Sequence, residues 1–486
     1  MRNRPTPTYL TLICAALTLL SSCASRTPEN VTHTHSEAPI YPDYKDITIP
    51  VNIAPLNFLL RENTEDICVY VDDDMIYQGS GNEVTFDEGE WRDMLNASIG
   101  KKLGVRIVVK SEGKWKEYDA FTWEVSADRV NPYLTYRLIE PDYEVFNELV
   151  LQERCVESFD TRNFCDHNVI GNKCMNCHVY SNQSPDTSMF YVRGKDGGAI
   201  LNTGGQLRKL DIKKEGMVSS SVYYSFSPNG RFLVFSANEI IPAFHSSASK
   251  RMEVFDSKSD VYIADLRDNS IKTCPMLCAD TINETFPTFS PDGKYVYYCA
   301  APSIDSLPDL RRQRYSLCRV AFDEHDGTLG ESVDTIYNSR TRGKSVCHPR
   351  FSPDGAFIVY TVADYGTFPI WHRESDLQMM DMRTGETKDM DIVNSDMSDT
   401  YHSWSSNSRW LVFASKRDDG LYGKAYYTHV DKDGECSKPF VLPQKYPTYY
   451  DNTLKSFNAP EQGKGKLPFS VNDVKRVLSS APTRFR

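Results

Sequence analysis

Phe226-Ser227-Pro228-Asn229-Gly230 runs directly into Arg231-Phe232-Leu233-Val234-Phe235. The phrase returns as Phe289-Ser290-Pro291-Asp292-Gly293 before Lys294-Tyr295-Val296-Tyr297-Tyr298, and as Phe351-Ser352-Pro353-Asp354-Gly355 before Ala356-Phe357-Ile358-Val359-Tyr360. A fourth copy, Trp404-Ser405-Ser406-Asn407-Ser408 before Arg409-Trp410-Leu411-Val412-Phe413, lacks the Pro and the Gly, which leaves its turn geometry open. The lead aromatics at 226, 289, 351 and 404 mark an internal repeat with steps of 63, 62 and 53 residues. Each copy reads as strand, tight turn, strand. Pro sets φ at the first corner, Asp or Asn bonds back to the backbone, and Gly takes the positive φ. The aromatic and β-branched run that follows is strand-like.

Two further strands follow in a unit, as at 260–264 with 270–273 and at 377–381 with 386–390. Four antiparallel strands, repeated, predict the blades of a β-propeller, because one blade cannot bury both of its faces alone. The segments 190–192, 199–201 and 206–210 look like strands of an incomplete blade, closed by chain after 443. The expected fold is therefore mainly β, with a five- or six-bladed propeller over 187–443 and a C-terminal closure and tail over 444–486. The aromatic-Ser-Pro-Asp-Gly phrase resembles the WD40-like repeats of TolB-type β-propellers. Propellers also gate prolyl-oligopeptidase-like hydrolases, but no Gly-x-Ser-x-Gly nucleophile elbow occurs here, so a serine hydrolase is excluded.

Upstream, 45–127 carries β-branched and aromatic runs at 47–53, 67–77, 83–86, 105–110 and 118–125. These predict a small β-sandwich. Residues 128–186 are richer in Leu, Glu and Tyr, with Pro132 and Pro141 placed as early-helix residues, and read as a short helical linker.

That linker contains Cys174-Met175-Asn176-Cys177-His178, a C-x-x-C-H. The pattern attaches c-type haem: two thiols add to the vinyl groups and the adjoining His takes an axial position. Cys174, Cys177 and His178 are thus the expected haem-binding residues, with one covalent haem c per chain. The N-terminus agrees with export. Arg2 and Arg4 precede an apolar run at 10–20 that ends in Leu20-Ser21-Ser22-Cys23. This tetrapeptide resembles a bacterial lipobox. It implies a signal peptide over 1–22, lipid on Cys23, a polar tether over 23–44, and a periplasm-facing position on the outer membrane. The net charge of −11, without a basic stripe, speaks against nucleic acid as a partner.

The order of signal, β-domain, C-x-x-C-H and propeller resembles a group of Bacteroidota envelope lipoproteins. The resemblance is carried by 128–144, by 174–178, and by 399–419 with its Tyr401-His402-Ser403-Trp404 core. That group commonly has a His where this chain has Tyr191, and it implies a cytochrome-like propeller.

Several side chains compete for the second axial position. His245, in a long loop, ranks first and is expected as an iron ligand beside His178; Met189 ranks second, and an open site is a third possibility. His348 and His402 immediately precede blade-opening strands, whose ends point toward the central channel in propellers; both are candidates to line a pocket, and a structural role is the first reading for each. Arg311-Arg312-Gln313-Arg314 reads as a solvated basic cluster. Zinc on Cys165, His167, Cys174 and Cys177 is the competing metal reading. Nine cysteines remain beyond the signal, lipid and haem positions, and Cys299 with Cys318 is the expected disulfide. The expected function is electron transfer or small-ligand sensing, with a redox or envelope protein as partner, rather than enzymatic catalysis. The alternative is a TolB-like scaffold that binds envelope proteins, its Cys motif being structural.

Overall fold

The computed structural model describes residues 28–141, 148–244, 252–304 and 307–486. The segment expected as a signal peptide, Cys23 and His245 lie outside the described residues. The chain is mainly β.

Two sheets form the N-terminal part. One has seven strands, among them Thr32–Glu37, Ile47–Pro50, Asp66–Val71 and Lys102–Ser111. The other has three short strands, Ile40–Tyr41, Phe58–Leu60 and Glu83–Val84. The expected run at 67–77 is a hairpin that turns at Asp72, and a helix over Glu88–Ala97, capped by Asp87, lies between the strands. Trp91 and Leu95 point that helix into the core beside Trp123. The stretch expected as a tether is docked from Thr32 onward. Thr32–Glu37 pairs in parallel with Lys114–Asp119, Thr34 Oγ1 donates to the Glu117 carbonyl, and Ala38, Ile40 and Tyr44 are buried. Isolated apolar residues in a polar stretch were enough to dock it, because a sheet edge was waiting.

Six further sheets follow, labelled I to VI. Sheet I is built from Ser456–Gly463, Tyr133–Ile139, Leu149–Cys155 and Thr161–Asp166, in that order from the inside. Sheet II runs from Met175–Ser181 through Ser184–Val192 and Gly198–Thr203 to Gln206–Asp211, with Thr483–Arg484 on its edge. Sheets III to VI begin with Ser221–Phe226, Ile282–Phe289, Ser345–Phe351 and Asp399–Trp404, and each holds four strands in meander order. The first strands touch in succession from II through VI, then Ser456–Gly463 touches both Asp399–Trp404 and Met175–Ser181.

The helical linker is therefore not found. Among the described residues, 128–186 holds four strands, the start of a fifth, and no helix. Tyr133–Ile139 is buried along nearly its whole length because strands pair with it on both sides. One of those partners lies more than 300 residues away, so local propensity had no sight of it. The segment after 443 closes Sheet I. Sheet II, whose first strand had no turn phrase, opens with the C-x-x-C-H itself.

The turn phrases behave as their chemistry requires. Ser290 Oγ donates to Asp292 Oδ1 at 2.6 Å and accepts from the Tyr295 N–H at 3.0 Å, and Gly293 takes φ +69°. The fourth turn keeps this geometry without Pro or Gly. Ser405 Oγ bonds Asn407 and Trp410 as its sisters do, and Ser408 accepts φ +62°. The reason for the exception lies in the 128–131 segment. Asn131 Oδ1 accepts from both the backbone N–H and the hydroxyl of Ser406, at 3.0 and 2.9 Å. Pro at 406 would have no N–H to give.

Cys299 and Cys318 lie on neighbouring strands of Sheet IV but form no disulfide. Cys299 stands opposite Leu317, and Cys318 opposite Tyr298, so the two thiols leave opposite faces of the sheet. Cys299 packs toward Sheet V and Cys318 toward Sheet III. Both are free thiols.

Glu284, on the first strand of Sheet IV, is almost wholly buried and its Oε2 has no hydrogen-bond partner. Burial, with Asp260 adding to it, pushes its pKa up to about 9. A raised carboxyl pKa means that the folded chain holds a proton the unfolded chain releases above about 4.5. Stability therefore falls as pH rises from there toward 9. Glu284→Gln should stabilise the fold at pH 8 by on the order of 2–4 kcal/mol and leave pH 4 stability nearly unchanged. Urea unfolding of both forms across this range checks it; equal pH slopes would refute it.

Candidate functional site

Every first strand of Sheets I to VI breaks register at a matching place. Thr285 pairs with Cys299 and Thr288 with Tyr297, which leaves Phe286 and Pro287 facing a single partner residue. The same two-against-one bulge holds Tyr223-Tyr224, His348-Pro349, Tyr401-His402 and Ala459-Pro460. In Sheet II, Asn176 pairs with Tyr191 and Val179 with Met189, so the bulged pair is Cys177-His178. A bulge bends its strand and re-aims side chains. The first residue of the pair has a positive φ in five strands: Tyr223, Phe286, His348, Tyr401 and Ala459, at 48–53°. None is a Gly, and αL backbone at bulky residues costs on the order of 1 kcal/mol each.

These five residues line one cavity of about 450 Å³. Cys174, Asn176 and His178 of the C-x-x-C-H line it too, as does Tyr191 across the strand pair. Asn238, Ile240 and Val254 reach it from the long hairpin of Phe232–Phe244 and Met252–Asp265, whose tip lies outside the described residues. The volume falls in the range of small-molecule and cofactor sites.

The cavity has an aromatic side and a polar side. His348 sits with ring centroids 4.2 Å from Phe286, 4.7 Å from Tyr401 and 6.5 Å from Tyr223. The polar side is made by Arg137, Arg350, Asn458 and Glu461. Arg137 Nη2 donates to Asn458 Oδ1 at 3.1 Å, and Arg350 pairs with Glu461 at 3.1 Å.

Bulge position separates the histidines. His402, second in its pair, is turned into the neighbouring sheet and its Nε2 lies 2.8 Å from the Val359 carbonyl. His178 is also second in its pair, and it lies beside the matching backbone of Thr135 and that of Ala459. Yet neither of its ring nitrogens completes a hydrogen bond. Burial pushes its pKa down to about 4, and Arg137 and Arg350 act in the same direction, so the imidazole is neutral at ordinary pH. A neutral imidazole is the form that binds metals. His348, first in its pair, faces the cavity, and its Nδ1 is buried without a partner.

Of the other expected site residues, Met189 is packed with Val179 and Leu201 in the core between Sheets II and III, away from the cavity. The zinc set does not assemble from its described members. Cys165 is fully buried, His167 Nδ1 is engaged by the Leu149 backbone, and these two do not converge with Cys174. Among the described residues the one cluster of metal-ligand type is His33, His35 and Asp119, exposed on the N-terminal sheet. Arg311 and Arg312 of the basic cluster are exposed, as expected, and the cluster is partly paired: Arg311 meets buried Glu253 at 2.7 Å, Arg312 meets Asp309 at 3.2 Å, and Arg314 Nε donates to the Gly343 carbonyl.

Sequence reading missed the bulge ring. A signal was present: Tyr223, Phe286, His348 and Tyr401 each stand three residues before the lead aromatic of a turn phrase.

No family model and no curated protein matches the chain. Solved structures similar to it include an oligogalacturonate lyase in complex with manganese, at 10% identity and TM-score 0.36, covering 64% of this chain and 73% of that one. Another is prolyl oligopeptidase B from Galerina marginata bound to a 25mer macrocyclization substrate, at 12% identity and TM-score 0.32. That match covers 63% of this chain and 44% of the oligopeptidase. An ancestral GH74 enzyme matches at 10% identity and TM-score 0.26, covering 84% of this chain and 62% of its own. At these values the likenesses carry no argument about activity.

Proposed function

We propose that the six sheets are the blades of a closed propeller and that its central cavity is a covalent haem c site, held by Cys174, Cys177 and His178. The succession of first strands, with Sheet I drawn from both ends of the chain, supports closure. The observation that carries the haem reading is the place of the C-x-x-C-H on the cavity wall, with Cys174 and the buried, neutral imidazole of His178 both lining it at attachment spacing.

The residues present fit the group. Cys174 lines the cavity, and position 177 occupies the bulge site whose sisters face it. Arg137, Arg193 and Arg350 line the same space and would meet carboxylates of a bound ring system. Haem bound there supplies one-electron chemistry or ligation of a small molecule. The chain's own part is to hold His178 neutral and to wall the site with aromatic rings. Function is then electron relay or ligand sensing, with a redox or envelope protein as partner, on an outer-membrane anchor at Cys23.

One observation favours the second reading, a scaffold with a structural Cys motif. His178 occupies the repeat position of His402, which ties its sheet to the preceding one. Expression with a haem-attachment system separates the two. One haem per chain by haemochrome spectrum supports the first reading; colourless protein, with or without zinc, supports the second.

The anchor has its own test. Cys23→Ala should move the protein from the membrane fraction to the soluble periplasm or leave it unprocessed. Unchanged membrane association would defeat the lipobox reading.

A further inference from the structure

We infer that His348 is the second axial ligand, reaching the iron from the side opposite His178. The inference rests on the haem reading above and departs from the expectation that placed His245, which lies outside the described residues, first and Met189 second.

Position comes first. In the succession of first strands, Ser345–Phe351 is the third from Met175–Ser181 in either direction. In a ring of six, the third neighbour stands across the centre. His348 and His178 line the same cavity. Orientation follows from the bulge. His348 is the first residue of its pair, and its ring lies against Tyr223, Phe286 and Tyr401, which belong to three other sheets. A side chain of Sheet V that touches Sheets III, IV and VI is aimed at the centre. Those rings also hold the imidazole in place before any ligand arrives, which lowers the cost of binding one.

Elimination adds to this. Among the described histidines, His402 is committed to Val359, His167 to Leu149, His429 to Asp128 at 2.8 Å and His372 to Glu374 at 2.9 Å. His33, His35 and His325 are not in the cavity. His348 alone combines a place on the cavity wall, outside the C-x-x-C-H, with a buried nitrogen that no group satisfies. Coordination requires only that a ring nitrogen lend its lone pair to the metal, with no change of oxidation state.

The test uses the full chain loaded with haem, read by optical and electron paramagnetic resonance spectra. The parent should be low-spin. His348→Ala should convert it to high-spin and open it to carbon monoxide in the reduced state, while His402→Ala stays low-spin. His348→Met should restore a low-spin form with a sulfur-to-iron charge-transfer band, which a merely structural loss would not do. A low-spin His348→Ala protein, or a high-spin parent, overturns the inference while leaving covalent haem in place. A parent without covalent haem overturns both this inference and the haem reading.

Discussion

Cys174→Ala combined with Cys177→Ala should yield a chain that takes up no covalent haem, where the parent keeps its haem through a denaturing gel. The effect is all or none because each thioether is a covalent bond and no other thiol replaces the pair. Cys165 is fully buried, and burial holds its thiol well above the ordinary range. Such a thiol is a poor nucleophile. Cys155 is on an outer strand pair of Sheet I and does not line the cavity.

The strand setting sharpens this expectation. In a regular strand, residues three apart point to opposite faces. The bulge between Asn176 and Val179 inserts the extra residue that breaks this alternation. Each single variant should therefore retain haem through one thioether, with a shifted haemochrome band. Persistent staining of the double variant would show that attachment occurs elsewhere.

How much of this was legible depended on how local each signal was. The turn phrase is complete within ten residues, so the strands beside it could be read directly, and even the Ser405–Ser408 turn obeyed the same bonding. The strand at Tyr133–Ile139 could not be read that way, because it is made stable by Ser456–Gly463. The C-x-x-C-H was plain as spacing, while its conformation was not: a presumed linker is the inner strand of Sheet II. His245 ranked above His348 because loops were given more weight than strands. The bulge gives a strand residue, His348, the cavity-facing role usually left to loops. His402 and His348 look alike in sequence, each beside a strand start. One step along the bulge sends one into the neighbouring sheet and the other into the cavity.

The same nonlocal pairing makes the C-terminus the most consequential segment for stability. Removing 456–486 takes away the inner strand of Sheet I and with it the contact that joins Sheets VI and II. Gln462 is wholly buried, and its side-chain amide donates to the carbonyls of Ser403 and Trp410. Glu153, also buried, loses the Leu467 N–H that it accepts at 2.6 Å. Phe457, Leu467, Phe469, Val474, Val477 and Leu478 are all buried. At about 1.5–3 kcal/mol each, their burial alone contributes roughly 10 kcal/mol or more. That is comparable with the whole net stability of an ordinary domain, about 5–15 kcal/mol. The truncated chain should thus lose its cooperative unfolding transition, and its exposed Tyr133–Ile139 edge should drive aggregation. A shorter cut after 480 removes only the two-residue edge strand Thr483–Arg484 and the chain end beside it, and should cost far less. If the longer truncation still melts cooperatively near the parent temperature, the six sheets do not depend on closure between the two ends of the chain. The central cavity would then lack the ring that places His348 across from His178.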